Sequence, residues 1–134
     1  MIRGTTAPFK FKLPYEFSDD MLLAITFWQE NYNGPKFTRP LPIVKVAEQC
    51  EPLEDAHWIL VSLSPEETAR FKTDRKAFVQ FQGKIKSTGV GFASHAKEII
   101  VYAAYNESIW EEDIIPSLTP DISDIIIFDG SDIL

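Results

Sequence analysis

Cysteine and histidine, from which many catalytic and metal sites are built, are nearly missing from this sequence. The chain has one cysteine, Cys50, and two histidines, His57 and His95. A single cysteine excludes a disulfide within the chain, and no Cys-x-x-Cys, His-x-x-His or Glu-x-x-His spacing suggests a zinc or iron site. A buried structural role is favoured for Cys50 over a nucleophile paired with either histidine. The sequence therefore predicts no enzyme, no metal and no cofactor.

Long apolar runs are missing too, and one end of the chain lacks basic residues. No run approaches the roughly 18 apolar residues of a membrane-spanning helix, and no export or lipidation signal is found. Residues 107–134 hold eight acidic residues and no Lys or Arg, whereas residues 1–106 hold 13 basic and 12 acidic ones. Because such an acidic end repels phosphates and no span is present, we expect neither nucleic acid nor a membrane as a partner.

Two local motifs suggest ligand sites but lack essential parts of them. Glu111, Glu112 and Asp113 are hard-cation ligands by type, but their spacing does not match a calcium loop with its glycine at the sixth position. The Gly-Val-Gly of residues 89–91 lacks the third glycine and the following helix of a dinucleotide motif. A turn is therefore predicted at residues 89–91.

Aromatic residues, by contrast, are plentiful: ten Phe, four Tyr and three Trp among 134 residues. Aromatic side chains favour strands and also protein interfaces. The length fits one domain, and 45% apolar with 25% charged residues is typical of a soluble globular protein. We expect a folded domain over residues 1–106 and an extended acidic C-terminal arm over residues 107–134. That arm is either solvated or a docking segment.

Apolar residues at every second position predict most of the strands. The clearest predicted strands are residues 9–13, 21–30, 57–64, 77–85 and 97–105, with a shorter one over residues 124–128. A helix over residues 21–30 is possible, but Ile, Thr, Phe and Trp in series favour a strand. Pro40 and Pro42 limit residues 37–46 to an edge strand at best, and residues 48–55 are interpreted as an acidic loop. The residues expected to face inward are Leu23, Ile25, Phe27, Ile59, Val61, Leu63, Val79, Phe81, Gly83 and Ile85.

One short helix is predicted between the strands. Ser64 has the character of a helix cap, Pro65 suits the first helical position and Glu67 the third, and the helix should end near Phe71. Turn sequences at residues 31–35 and 87–89 separate the strands on either side. Short strands at such intervals indicate an antiparallel β-sandwich.

The tryptophans allow two interpretations. Trp28 and Trp58 have the opposite parity from the core residues of their strands, so both are expected to point outwards or into a contact. Exposed tryptophan can stack on a sugar ring, which makes Trp28, Trp58 and Trp110 possible glycan contacts. Packing beneath the arm or in a second layer is the favoured alternative.

Several segments together carry a family resemblance. The opening "MIRGTTAPFKFKLP", the "AITFWQ" segment, residues 63–68 and residues 79–85 resemble a group of small bacteriophage and prophage proteins that begin Met-Ile-Arg-Gly-Thr-Thr-Pro. This group is similar to the immunoglobulin-like N-terminal domain of phage baseplate upper proteins. The resemblance covers about residues 1–104. Ala7 stands where the group has proline, and the acidic end extends beyond the short ending typical of the group.

The resemblance implies an all-β fold: an immunoglobulin-like antiparallel β-sandwich with one short helix and the extended acidic arm. It also implies a function, that of a non-enzymatic virion structural protein. The protein would be made in the host cytoplasm and would act as an oligomeric adaptor of the tail, baseplate or neck. Its partners would be other phage virion proteins and further copies of itself.

Two segments are candidates for strand addition to a neighbouring subunit, residues 5–13 and residues 122–128. We expect the start of the chain, residues 1–8, to anchor the protein in an assembly, so that deleting residues 1–6 would leave a folded monomer unable to assemble. The predicted assembly contacts are Arg3, Thr5, Phe9, Phe11, Ile125, Ile127 and Phe128.

Two other function classes remain open at this point. One is a carbohydrate-binding host-recognition module at a phage tip or capsid surface, which would use the tryptophans. The other is a non-virion phage effector that binds a host protein, a role that an acidic arm would suit.

Overall fold

The structure, a computed structural model, describes residues 1–30 and 41–103 and the backbone of residues 126–128. Strands dominate these residues, with one single-turn helix, α1 (Pro65–Thr68), and a 3-10 turn over Ala47–Gln49. The strands in chain order are β1 (Ala7–Lys12), β2 (Met21–Gln29), β3 (Ile43–Val46), β4 (Glu51–Pro52), β5 (Trp58–Leu63), β6 (Ala77–Ile85), β7 (Gly91–Ala93), β8 (Lys97–Ile99) and β9 (Ile126–Phe128).

The strands form two sheets. The four-stranded sheet has the order β4-β5-β1-β9, and the five-stranded sheet has the order β3-β2-β6-β7 with β8 also paired to β6. All pairs are antiparallel except β1 with β9, which are parallel with Phe9 opposite Ile126. The all-β sandwich predicted from the strand pattern is therefore confirmed.

The inner faces of the two sheets meet in an aromatic core. Phe9 lies with its ring centroid 5.0 Å from that of Phe27, and Phe11 lies 5.7 Å from Phe81. These contacts follow from the period-two patterns of β1, β2 and β6, which turn alternate side chains to the same side. The fully buried large side chains are Phe9, Phe11, Phe27, Phe71, Phe81, Leu13, Ile25, Ile59, Leu63, Ile99 and Val61.

The predicted helix begins at the predicted place but ends at Thr68, before the expected end near Phe71, so it is one turn long. Ser64 caps it: the Ser64 hydroxyl accepts from the Glu67 backbone N–H at 3.2 Å. In return, the Ser64 backbone N–H donates to Glu67 Oε1 at 2.9 Å. Pro65 occupies the first helical position.

Three predicted boundaries differ from the structure. Of the strand expected over residues 97–105, Lys97–Ile99 is regular, and the described residues that follow, 100–103, make one parallel bridge from Tyr102 to Ile2; residues 104 and 105 lie outside the described part. Of the edge strand expected within residues 37–46, the structure describes the part from residue 41 on, where the strand covers Ile43–Val46. The acidic loop over residues 48–55 contains the two-residue strand β4.

Candidate interaction surface

The outer face of the five-stranded sheet carries large apolar side chains. Leu22 is 54% exposed, Val44 47% and Val46 43%. Their positions follow from strand parity, because Leu23, Ile25 and Phe27 turn inward and leave the intervening residues of β2 on the outside. Isolated exposed apolar residues are ordinary, whereas a group on adjacent strands marks a contact surface.

An open groove of about 1130 Å³, here called the outer groove, is lined by residues of this face and also by Phe17, Met21, Leu23, Cys50 and Phe92. β3 pairs with β2 only from Ala24 to Phe27, and the chain then turns away through the 3-10 turn Ala47–Gln49. Among the described residues, therefore, no strand pairs with the first residues of β2 on that side. The side chains that matter below line the groove: Leu22, Ala24, Val46, Glu48, Gln82, Lys84 and Ala93.

Register across the sheet arranges the groove in rows. Ala24 lies opposite Val46 on one side and Gln82 on the other, and Gln82 lies opposite Ala93. One row therefore begins with a valine on the β3 side and ends with an alanine on the β7 side. The next row contains Leu22, Lys84 and Gly91. The small residues in these two rows are Ala24, Ala93 and Gly91.

Charged side chains of both signs line the groove. Glu48, in the 3-10 turn, lies on the β3 side of β2, and Lys84 lies on β6 directly opposite Leu22. Both side chains are exposed. Asp19 and Lys86 also line the groove, so its apolar residues lie among acidic and basic ones.

Gly83, in the middle of β6, makes room for the ring of Phe92 to pack against the sheet. A Cβ on Gly83 would lie 2.5 Å from Phe92 Cζ and 2.8 Å from the Leu22 carbonyl oxygen. The ring of Phe92 also packs 6.3 Å from Phe81 and 5.8 Å from Tyr15, measured between centroids. Only glycine leaves room for this ring against the sheet, which explains a glycine in the middle of a strand.

Cys50 lies beside the groove and is half-buried. Its thiol donates to the Val46 carbonyl oxygen at 3.3 Å. Burial raises the pKa of the Cys50 thiol to about 11, although the positive charge of Lys45 acts in the opposite direction. The thiolate, which is the nucleophilic form, is therefore scarce at neutral pH.

The predicted assembly contacts near the start of the chain make contacts within the chain. Arg3 Nε donates to the Phe71 carbonyl oxygen at 2.5 Å and Arg3 Nη2 to the Ala69 carbonyl oxygen at 2.7 Å. The Thr5 carbonyl oxygen accepts from the Thr68 hydroxyl at 2.7 Å. These bonds hold the first residues against α1 and the loop that follows it.

Four of the five remaining predicted assembly residues belong to strands of the four-stranded sheet. Phe9 and Phe11 are fully buried, so their predicted role as contacts with other subunits gives way to a role in the core of this chain. The backbone of Ile127 and Phe128 pairs with Lys10 and Phe11 of β1. Ile125 lies outside the described residues.

The two described tryptophans are half-buried on the outer faces, as their parity predicts. Lys10 Nζ lies 4.6 Å from the ring centroid of Trp58 and Lys12 Nζ lies 5.8 Å from it. Trp28 stacks on Phe78 with centroids 5.7 Å apart. Each ring therefore already packs against a neighbouring side chain, and Trp110 lies outside the described residues.

No metal-binding or membrane-spanning feature is found among the described residues. No three His, Cys, Asp or Glu side chains in residues 1–30 and 41–103 come close enough to hold a metal ion. Nor does any described helix have the length and apolar character needed to cross a membrane. His57 Nδ1 lies 3.1 Å from Asp55 Oδ1 in an exposed turn, and the residues 111–113 lie outside the described part.

The sequence reasoning did not identify the outer groove. Its signal was present in β2, where apolar residues occupy both parities: Leu22, Ala24 and Trp28 alternate with Leu23, Ile25 and Phe27. A strand that is apolar on both sides has a second face to cover. What the sequence did not reveal is that β3 is too short to flank this face along its whole length.

Fold and surface together define an all-β sandwich with an open apolar groove on one sheet. Comparison with protein families, with curated proteins and with solved structures finds no match to this chain.

Proposed function

We propose that this protein is a non-enzymatic assembly module, a structural adaptor in the tail, baseplate or neck of a phage particle. The observation that carries the proposal is the outer groove, in which the exposed Leu22 and Val46 lie among charged side chains that include Glu48 and Lys84. An apolar centre within a polar rim is the usual anatomy of a protein–protein contact. The assignment to a phage particle rests on the resemblance of the opening "MIRGTTAPFKFKLP" to small phage proteins.

In this proposal the N-terminal strand β1 does not pair with a neighbouring subunit, although strand addition by residues 5–13 was a candidate from the sequence. β1 lies between β5 and β9, with partners on both sides. A strand with two partners has no free edge to offer. Contacts with neighbouring proteins are therefore assigned to the outer groove, and residues 1–8 support the domain that presents it.

The test is quantitative mass spectrometry of purified particles from the phage or prophage that encodes the chain, scored as copies per particle. A count on the order of six to twelve, or a small multiple, would fit a ring in the neck, tail or baseplate. Hundreds of copies would move the protein to the capsid surface. Absence from particles would overturn the proposal and favour a non-virion effector that binds a host protein.

A substitution in the outer groove tests whether this surface is needed for incorporation into particles. Leu22→Lys places a charge on the exposed floor of the groove without touching the core. We expect the variant to fold normally but to be depleted from particles at least tenfold. The matched control, Ile100→Lys, alters an equally exposed aliphatic residue outside the groove and should be incorporated normally.

A further inference from the structure

We propose that the loop after α1, residues 70–76, binds an acidic segment of the same chain, residues 107–113. The loop is here called the basic loop, and the acidic segment lies outside the described residues. The sequence allowed two interpretations of the acidic arm, a solvated end or a docking segment, and the proposal assigns docking to the first part of the arm. It goes beyond the proposed function and does not depend on the outer groove.

The basic loop carries the densest positive charge of the sequence. Four of its seven residues are basic and one is acidic, and no other seven-residue stretch has as many basic residues. The rest of residues 1–106 holds nine of the 13 basic and 11 of the 12 acidic residues, so positive charge is concentrated here. The basic residues are Arg70, Lys72, Arg75 and Lys76, of which Arg75 is half-buried and the others are exposed. Asp74 Oδ1 lies 3.6 Å from Arg75 Nε and offsets part of this charge.

Hydrogen bonds fix the backbone of the basic loop against the end of β2. The Lys72 N–H donates to Gln29 Oε1 at 2.8 Å, and Gln29 Nε2 donates to the Lys72 carbonyl oxygen at 2.6 Å. The Glu30 N–H donates to the Lys76 carbonyl oxygen at 2.9 Å, and the side chain of Phe71 is fully buried. Binding therefore does not require the backbone of the loop to be ordered first, and a preorganised surface binds at a lower entropic cost.

The described chain that leads to residues 107–113 ends beside the basic loop. The Arg3 backbone N–H donates to the Tyr102 carbonyl oxygen at 2.8 Å, and the Arg3 guanidinium donates to the carbonyl oxygens of Ala69 and Phe71. A single residue thus joins Tyr102 to the start of the loop, and the acidic segment begins five residues after Tyr102. Because an extended chain covers about 3.3 to 3.6 Å per residue, residues 107–113 can reach the loop.

The chain also re-enters the described structure at this end of the sandwich. β9 runs parallel to β1, with Ile126 opposite Phe9, so both strands begin at the same end of their sheet. That end carries α1, because the Thr68 hydroxyl donates to the Thr5 carbonyl oxygen at 2.7 Å, just before β1. Residues 104–125 are therefore attached at both of their ends to the part of the sandwich that presents the basic loop.

The charge of the segment complements that of the loop. Residues 107–113 contain no basic residue and four acidic ones, Glu107, Glu111, Glu112 and Asp113. Exposed ion pairs are individually weak, but several act together here, and a short tether gives the segment an effective concentration in the millimolar range. A second copy or a foreign polyanion competes at its much lower free concentration. This difference favours the segment of the same chain as the occupant.

The experiment is carbodiimide coupling, which joins a lysine amine to a carboxylate in contact with it, followed by mass spectrometry of the linked peptides. The full chain is used at low concentration as an equal mixture of isotope-labelled and unlabelled protein, which separates links within a chain from links between chains. We expect Lys72 and Lys76 to be linked to residues 107–113 of the same chain roughly tenfold more often than Lys84. Lys84 is the matched control because it is also exposed but lies near the end of β6 farthest from the basic loop.

Two changes test whether charge holds the contact. Arg70→Glu lowers the positive charge of the loop but keeps both reporter lysines, and it should reduce the links about threefold, whereas Lys84→Glu should leave them unchanged. High salt should reduce them as well, because exposed charges are screened. Circular dichroism of both variants establishes that folding is intact.

Three outcomes would overturn the inference. Links from Lys72 and Lys76 that are no more frequent than those from Lys84 would show that the segment does not dock on the loop. Links found only between chains would make a second copy the occupant, and links that neither Arg70→Glu nor salt reduces would exclude charge as the cause. None of these outcomes alters the copy number expected in particles, so a failure of this inference is distinguishable from a failure of the proposed function.

Discussion

The Lys45 ammonium lies 2.8 Å from Glu67 Oε1, and this ion pair joins edge strand β3 to α1. The same Glu67 oxygen accepts the backbone N–H of Ser64 at 2.9 Å. Both side chains of the pair are largely shielded, with 12% of Lys45 and 17% of Glu67 exposed. The Glu67 carboxylate therefore accepts the hydrogen bond of the helix cap and also pairs with Lys45, which points inward from edge strand β3. An inward-pointing charged residue on an edge strand discourages pairing of that edge with another chain.

Glu67→Gln should destabilise the protein by about 1 to 2 kcal/mol, and Glu67→Ala by more. Glutamine can still accept the Ser64 N–H but leaves Lys45 without its counter-charge, and hydrogen bonds to charged groups are worth about 1.5 to 3 kcal/mol. Alanine removes the cap as well. Urea unfolding measures the differences, with the exposed neighbour change Glu66→Gln as the control. Equal stability of Glu67→Gln and the wild type would show that the charge is unimportant.

The contribution of Glu67 should depend on pH. Burial acts to raise the pKa of the Glu67 carboxyl, but the hydrogen bonds from Lys45 and Ser64 and the charge of Lys45 bring it below its ordinary value of 4.5. A lowered pKa in the folded state stabilises the protein above the unfolded pKa, and this is lost as pH falls through the folded pKa. The stability gap between wild type and Glu67→Gln should be constant at neutral pH and narrow below about pH 4.5. A gap that widened on acidification would contradict the assignment.

Gly83→Ala should cost about 1 to 3 kcal/mol, the usual penalty for overpacking a filled interior. The new methyl would meet Phe92 Cζ at 2.5 Å and the Leu22 carbonyl oxygen at 2.8 Å. Gly91→Ala is the matched control, since its Cβ would have an ordinary contact of 3.7 Å with the Gly83 carbonyl oxygen. Chemical denaturation of both variants is the measurement. Equal effects at the two positions would rule out the close approach of the Phe92 ring as the cause.

Cys50 should react slowly with thiol reagents in the folded protein. At pH 8 a thiol with a pKa of about 11 is ionised in roughly 0.1% of molecules, compared with roughly 10% at the ordinary 9.0, so alkylation should be about 100-fold slower. The rate should rise with pH beyond 9 and should increase sharply when urea unfolds the chain. Labelling at the same rate in folded and unfolded protein would contradict the burial of this side chain.

Arg3→Lys should destabilise the fold even though it keeps the charge. The guanidinium donates to two carbonyl oxygens at once, those of Phe71 and Ala69, and an ammonium cannot reproduce this planar pair of donors. We expect a loss of about 1 kcal/mol by thermal or urea unfolding. Arg3→Met, which removes the charge as well, should lose more. If Arg3→Lys matched the wild type, the charge and not the directed hydrogen bonds would hold the N-terminal segment.

Local patterns in the sequence predicted the faces of the strands well. Alternation placed Phe27, Ile59 and Phe81 inside, and the Ser64–Pro65 start of the helix was correct to the residue. These features depend on neighbours within a few positions, so the sequence displays them directly.

Features that depend on distant parts of the chain were not predicted. The carbonyl oxygens that accept from Arg3 lie 66 and 68 residues along the chain, and no local pattern reveals them. The outer groove depends on where β3 stops pairing with β2. Phe9 and Phe11 were assigned to contacts because their strand was expected to be a donor, whereas pairing on both sides of β1 makes them part of the core.

The parallel pairing of β1 with β9 also has a consequence for biosynthesis. Phe9 is synthesised more than a hundred residues before its partner Ile126. At a synthesis rate of about 5 to 20 residues per second, one side of β1 stays open for roughly 6 to 25 s on every ribosome. In that interval the exposed strand of one nascent chain can pair with that of another on the same message. The pairing of β9 therefore completes the four-stranded sheet and also ends the period in which that side of β1 is open to misassembly.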